Sequence, residues 1–115
     1  MIKRGEIYLA NLNPKKGKEV GKLRPVLVIQ TEDMLNEVSH PTVIVLPLST
    51  QLIDDVYPLR FRIKKRDKLE RETDILCDQI RAIDVCRISS QALTVLTEEE
   101  MLDIENRLEI ILGCI

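Results

Sequence analysis

Aromatic residues are scarce in this 115-residue chain: Tyr8, Tyr57 and Phe61 are all it has, and tryptophan is absent. Nucleic-acid binding that depends mainly on stacking bases against rings is therefore excluded. His40 is the single histidine, next to Pro41, so a two-histidine acid–base pair within one chain is impossible and His40 reads as a loop residue. Three cysteines, Cys77, Cys86 and Cys114, have no short paired spacing. They suit neither a disulfide framework nor a zinc site, and are expected as reduced, mostly buried thiols. Glycine is sparse, and no Gly-rich phosphate loop, HExxH helix or EF-hand loop occurs. The acidic pairs Glu32–Asp33 and Asp54–Asp55 are adjacent, so on a strand their side chains would face opposite ways. No metal and no cofactor are expected. No apolar run approaches the roughly 18 residues of a membrane span, and "MIKRGEIYLANL" lacks a signal peptide's apolar stretch. A cytoplasmic location without membrane contact is the expectation.

What is present is an ordinary globular composition, 44% hydrophobic and 31% charged, of a length that suits one domain spanning 1–115. The net charge is only −2, yet it is laid out in alternating blocks. Residues 1–25 and 60–72 are basic, while 26–59 and 73–115 are acidic. A local basic surface can therefore exist on a mildly acidic protein.

"GEIYLANL" reads as a first strand. "NPKKGKEVGKLRP" is a long basic loop, and "PVLVIQ" is a strand apolar enough to be buried on both faces. "TEDMLNEV" suits a short helix with Thr31 as its cap. "TVIVLPLS", 42–49, is another buried strand, in which Pro47 marks a bulge or an end. "YPLRFRI", 57–63, alternates as a strand with one wet face, and "TDILCDQIRAIDV" supplies a further strand followed by a turn-like stretch. "TEEEMLDIENRLEIILGCI" is the clearest helix. Thr97 and Glu100 make a capping box, and Met101, Ile104, Leu108, Ile111 and Ile115 form its apolar stripe. Short strands followed by one terminal helix indicate a mainly β fold, an antiparallel sheet or small barrel with a C-terminal α-helix.

Arg24 stands immediately before Pro25, whose ring restricts both residues to extended backbone. A guanidinium held there offers a planar fork of donors matched to phosphate oxygens. Ser49 follows Pro47, and Asp78 and Gln79 stand where an apolar strand turns polar. Such groups suit metal-free RNA cleavage, which needs positioned positive charge and hydrogen-bond donors. Each also has a plain reading: a surface ion-pair partner, a turn serine, strand-end polar residues.

The blocks "KRGEIYLANLNPKKGKEVGKLRPVLVIQ", "VIVLPLSTQ" and "ILCDQIRAID", in this order and over roughly residues 3–88, resemble the MazF/PemK family of bacterial toxin–antitoxin modules. The resemblance implies an SH3-like barrel, usually a homodimer. It implies a sequence-specific mRNA interferase that cuts single-stranded RNA without metal, leaving a 2′,3′-cyclic phosphate and a 5′-hydroxyl. A cognate antitoxin would neutralise it and could bring operator DNA into the complex. Arg24 falls on the family's catalytic arginine, and Ser49 falls where many members have threonine. Thr50 is a rival hydroxyl, and Gln51 completes the "[ST]-x-Q" context. Glu19 would orient Arg24, while Gln79 and Asp78 would face the nucleotide. The PemK/Kid branch has an arginine two residues before that aspartate, where this chain has Leu76, so that acid–base pair is not carried over. Lys18 and Lys22, in the loop 13–22, and the basic block 60–71 are then expected along the RNA path. The alternative is a non-catalytic toxin of the same fold that binds DNA gyrase, of the CcdB kind.

Overall fold

The structure is a computed structural model that describes residues 2–12, 23–35 and 41–114. The chain forms strands β1 (Glu6–Asn11) and β2 (Leu23–Val28), a one-turn helix α1 (Glu32–Leu35), and strands β3 (Thr42–Ser49), β4 (Arg60–Ile63), β5 (Thr73–Leu76), β6 (Arg81–Asp84) and β7 (Ile88–Val95). Helix α2 (Glu98–Leu112) closes it. All pairings are antiparallel, in the order β4-β5-β3-β2-β1-β7, with β6 also on β3. The fold is the mainly β arrangement of antiparallel strands with a C-terminal helix expected from the sequence pattern.

Strand β3 organises the sheet. One edge pairs with β2, while the other divides, with Thr42–Val45 on β6 and Leu48–Ser49 on β5. Pro47 was expected to end or bulge this strand, but it lies within it, opposite Val26. The reason is local. Pro47 stands in the gap between the β6 and β5 pairings, where a missing N–H disturbs neither ladder.

The unbroken apolar runs are explained by burial of both sheet faces. Ile7, Leu27, Leu46 and Leu48 point into a core with Met101 and Ile104 of α2. Tyr8, Val26, Val28, Val43 and Val45 point the other way, into a second cluster with Ile83. The period of two sends neighbours to opposite cores, so the apolar runs of β2 and β3 carry no polar alternation. On α2 the capping box of Thr97 and Glu100 is formed, and Met101 and Ile104 are buried while Leu108 and Ile111 pack partly against the core. Ile115 lies outside the described residues. Gly5 enters β1 at φ 90°, a left-handed backbone that a side chain would strain, and its N–H donates to the Val28 carbonyl at 2.9 Å.

Three expectations are corrected. Cys77 is buried, but Cys86 and Cys114 are exposed, because they sit on a surface 3₁₀ turn and beyond the end of α2. The second strand starts not at Pro25 but at Leu23, so Arg24 lies inside β2, opposite Ala10. The stretch 73–84 is two strands, not one, separated by a turn at Cys77–Asp78.

Candidate functional site

Two strands and a turn bring several expected residues to one place. β2 carries Arg24, exposed two positions before the buried Val26. β3 ends at Ser49, so Ser49, Thr50 and Gln51 form the lip where the chain leaves the sheet. The turn after β5 returns Gln79 to the same side, its N–H donating to the Leu76 carbonyl at 3.1 Å. These five residues line a cleft of about 410 Å³ with a floor of Leu12, Pro47, Leu48 and Leu76.

Arg81, at the start of β6, also lines the cleft, and its Nη2 donates to the Leu12 carbonyl at 3.3 Å. It was not among the residues singled out from the sequence. A signal existed: residues two apart on an extended segment share a face, so Arg81 accompanies Gln79.

The electrostatics are one-sided. Among the described residues, no carboxylate lines the cleft and Arg24 makes no ion pair. Two guanidiniums therefore face it without a neutralising partner among the described residues, an arrangement suited to an anion. Ser49 Oγ accepts from the Gln51 N–H at 3.1 Å, which leaves the hydroxyl's own hydrogen to donate to a ligand oxygen. Thr50 and Gln51 are exposed beside it. Across Thr50 and Pro25 a second hollow of about 270 Å³ opens, apolar at Leu9, Leu69 and Leu93 and lined also by Lys68, Glu70 and Arg71.

A family model for the PemK-like, MazF-like toxin of type II toxin–antitoxin systems matches residues 3–112. The chain belongs to this family. It is 42% identical over 114 residues to Endoribonuclease MazF of Staphylococcus epidermidis, across 98% of this chain and 92% of that relative. Its fold is that of solved MazF toxins. The Mycobacterium tuberculosis toxin MazF-mt6 superposes with a TM-score of 0.76 at 18% identity, over 94% of this chain and 96% of that one. MazE–MazF of Deinococcus radiodurans superposes with a TM-score of 0.77 at 20% identity, over 97% and 96%.

Within this PemK/MazF-like chain the other expected residues are placed less centrally. Asp78 is exposed on the turn beside Gln79 but does not line the cleft. Lys18, Glu19 and Lys22 lie outside the described residues, as does His40. In the basic block 60–71, expected along the RNA path, three arginines are engaged with acids, while Lys64, Lys65, Lys68 and Arg71 make no ion pair among the described residues. Arg60 and Arg62 are tied to Asp74, Arg62 also to Asp54, and Arg66 to Glu100. The sequence shows the seven cations of 60–72 but not that β5, α2 and the loop after β3 deliver acids to three of them. Lys68 and Arg71, with Glu70, line the hollow beside the cleft.

Among the described residues no helix is long and apolar enough to cross a membrane.

Proposed function

We propose that this chain is a sequence-specific endoribonuclease toxin that cuts single-stranded RNA in the cytoplasm, as a homodimer held in check by a cognate antitoxin. The observation that carries the reading is the cleft itself, where Arg24, Arg81 and Ser49 converge without a lining carboxylate among the described residues. Membership of the toxin family and the 42% identity to a protein named Endoribonuclease MazF support it. The gyrase-poison alternative finds no such support.

In this reading the 2′-hydroxyl of one ribose gives up its proton to solvent and attacks the adjacent phosphorus in line, forming a new P–O bond as the bond to the 5′-oxygen breaks and that oxygen takes a proton from solvent. Negative charge grows on the non-bridging oxygens. Arg24 and Arg81 stabilise that charge, and the Ser49 hydroxyl donates to one oxygen. Gln51, Thr50 and Gln79 present amide and hydroxyl groups to sugar and base edges, which unpaired RNA exposes. No described residue lining the cleft is a base at neutral pH, so its contribution is alignment and charge stabilisation.

The test is incubation of purified protein with a long mixed-sequence RNA in EDTA, followed by mapping of the new ends. Cuts at one short motif, with 5′-hydroxyl and 2′,3′-cyclic phosphate ends, are expected. Intact RNA, or cutting only after divalent metal is restored, would sink the reading.

A further inference from the structure

Among the described residues Asp74 is the one charged side chain that is fully buried, 1% exposed. Its carboxylate makes no contact with the cleft, yet its bonds lead there. In the β3–β5 ladder Asp74 is the register partner of Ser49. Its Oδ2 accepts from the backbone N–H of Ile53 at 2.9 Å and from Arg60 Nη1 at 3.2 Å. The same Arg60 Nη1 donates to the Gln51 carbonyl at 2.9 Å. Gln51 in turn gives its N–H to Ser49 Oγ at 3.1 Å. A continuous chain of hydrogen bonds therefore runs from a buried anion to the hydroxyl in the cleft.

We propose that Asp74 and Arg60 are positioning residues that brace the Ser49–Gln51 lip for catalysis, an inference that rests on the ribonuclease reading. Residues 50–59 contain neither helix nor strand. Nothing in a sheet ladder holds the lip once β3 ends at Ser49, and loop backbone of this length samples many conformations unless anchored. The brace supplies two anchors, at the Gln51 carbonyl and the Ile53 N–H. It is itself immobilised from the helix side. Arg107 of α2 donates to the Arg60 carbonyl, and its guanidinium lies 4.7 Å from the Tyr57 ring centre and 5.2 Å from that of Phe61.

A purely stabilising role would not require a carboxylate, because well-packed apolar groups often stabilise as well as a buried ion pair does. What an apolar residue cannot do is accept the Ile53 N–H and hold a guanidinium that reaches Gln51. Burial by itself would push the Asp74 carboxyl up. Hydrogen bonds from Arg62, the Ile53 N–H and Arg60 outweigh that and hold it below the ordinary carboxylate value, so the anchor stays charged at neutral pH.

Arg62 provides the control. It binds Asp74 through Nε at 2.8 Å and also binds Asp54, but it makes no bond to the lip backbone at Gln51. The experiment compares wild type, Arg60→Ala, Arg60→Lys, Arg62→Ala and Asp74→Asn in steady-state cleavage of one defined RNA. Amide exchange at Gln51 and Ile53 is followed in parallel. Arg60→Ala is expected to lower kcat about 10- to 100-fold while KM changes by less than about threefold, the signature of misaligned groups. Arg60→Lys recovers part of the loss. Arg62→Ala melts earlier but keeps kcat within about threefold of wild type, and exchange at Gln51 and Ile53 quickens more in Arg60→Ala. A wild-type kcat in Arg60→Ala would overturn the brace, as would equal kcat losses in the two arginine variants. RNA left intact by the wild type would instead overturn the ribonuclease reading and the brace's catalytic purpose with it. Exchange rates at the lip that are the same in both arginine variants would then overturn the brace itself.

Discussion

Arg24 and Arg81 face a cleft that no carboxylate lines among the described residues, whereas Arg60, Arg62, Arg66 and Arg107 each lie against an acid of this chain. The six side chains carry the same charge and differ in what remains of their field outside the protein. A guanidinium 2.8 Å from a carboxylate oxygen is largely neutralised at the distance of a ligand, and both its geometry and its donors are committed. A guanidinium whose only bond among the described residues is to a backbone carbonyl, as at Arg81, keeps its net charge for an incoming anion. These arginines thus fall into two sets, two facing the cleft and four bound to acids of the fold. The acids that make the division come from β5 and from α2.

Breaking the architectural set at its centre should have the largest effect. Asp74→Ala removes the shared partner of Arg60 and Arg62, leaving the Ile53 N–H without its acceptor, Arg60 with the Gln51 carbonyl and Arg62 with Asp54. Loss of one partner of a buried pair costs about 3–5 kcal/mol, so denaturant unfolding should show a destabilisation of that order. A loss under about 1 kcal/mol, the value of an exposed pair, would mean the two sets do not differ in this way.

The cleft set should respond in the opposite manner. Arg24→Ala removes a charge with no described ion-pair partner, so its thermal midpoint should stay within about 3 °C of wild type. Its kcat/KM on a cleavable RNA should fall about 100- to 1,000-fold, the range for losing one donor aimed at developing charge. Full activity with a lowered midpoint would reverse the assignment and place Arg24 among the structural arginines.

The division explains which parts of the molecule could be read in advance. Helix α2 was legible down to its cap, because a capping box and an apolar stripe at helical spacing are local signals. The apolar runs of β2 and β3 were legible as strands for the same reason. Pro47 was misjudged because its tolerance depends on how β3 divides its edge between β5 and β6, which no neighbouring residue reveals. Arg24, Ser49, Thr50, Gln51 and Gln79, all named from the sequence, line one cleft. Arg81 escaped because it appeared as one more charge in a polar stretch. Arg60 and Arg62 looked like free cations since Asp74 lies more than ten residues away along the chain and is buried within a run read as apolar.

The smallest effect is expected at the edge of the architectural set, where Arg66 grips Glu100 through two bonds of 2.8 Å. Burial alone would raise the Glu100 carboxyl, but the Arg66 bonds and the Thr97 N–H outweigh it and set the folded value below the ordinary one. The unfolded chain, at about 4.3, therefore takes up this proton before the folded protein does. The stabilisation is fully present above that value and is lost as pH falls through the lower folded one, so stability rises with pH in this acid window. Glu100→Gln removes the titrating charge while its side-chain oxygen still accepts the Thr97 N–H, so the cap survives and the proton linkage does not. Unfolding free energies measured between pH 2 and pH 7 should show a shallower acid slope in this variant, by less than one proton, under about 1.4 kcal/mol per pH unit. Arg24→Ala should keep the wild-type slope, because the cleft it lines has no carboxylate to titrate among the described residues. Parallel slopes for Glu100→Gln and wild type would show that the Arg66 contact does not hold the carboxyl down, and would move Arg66 out of the structural set.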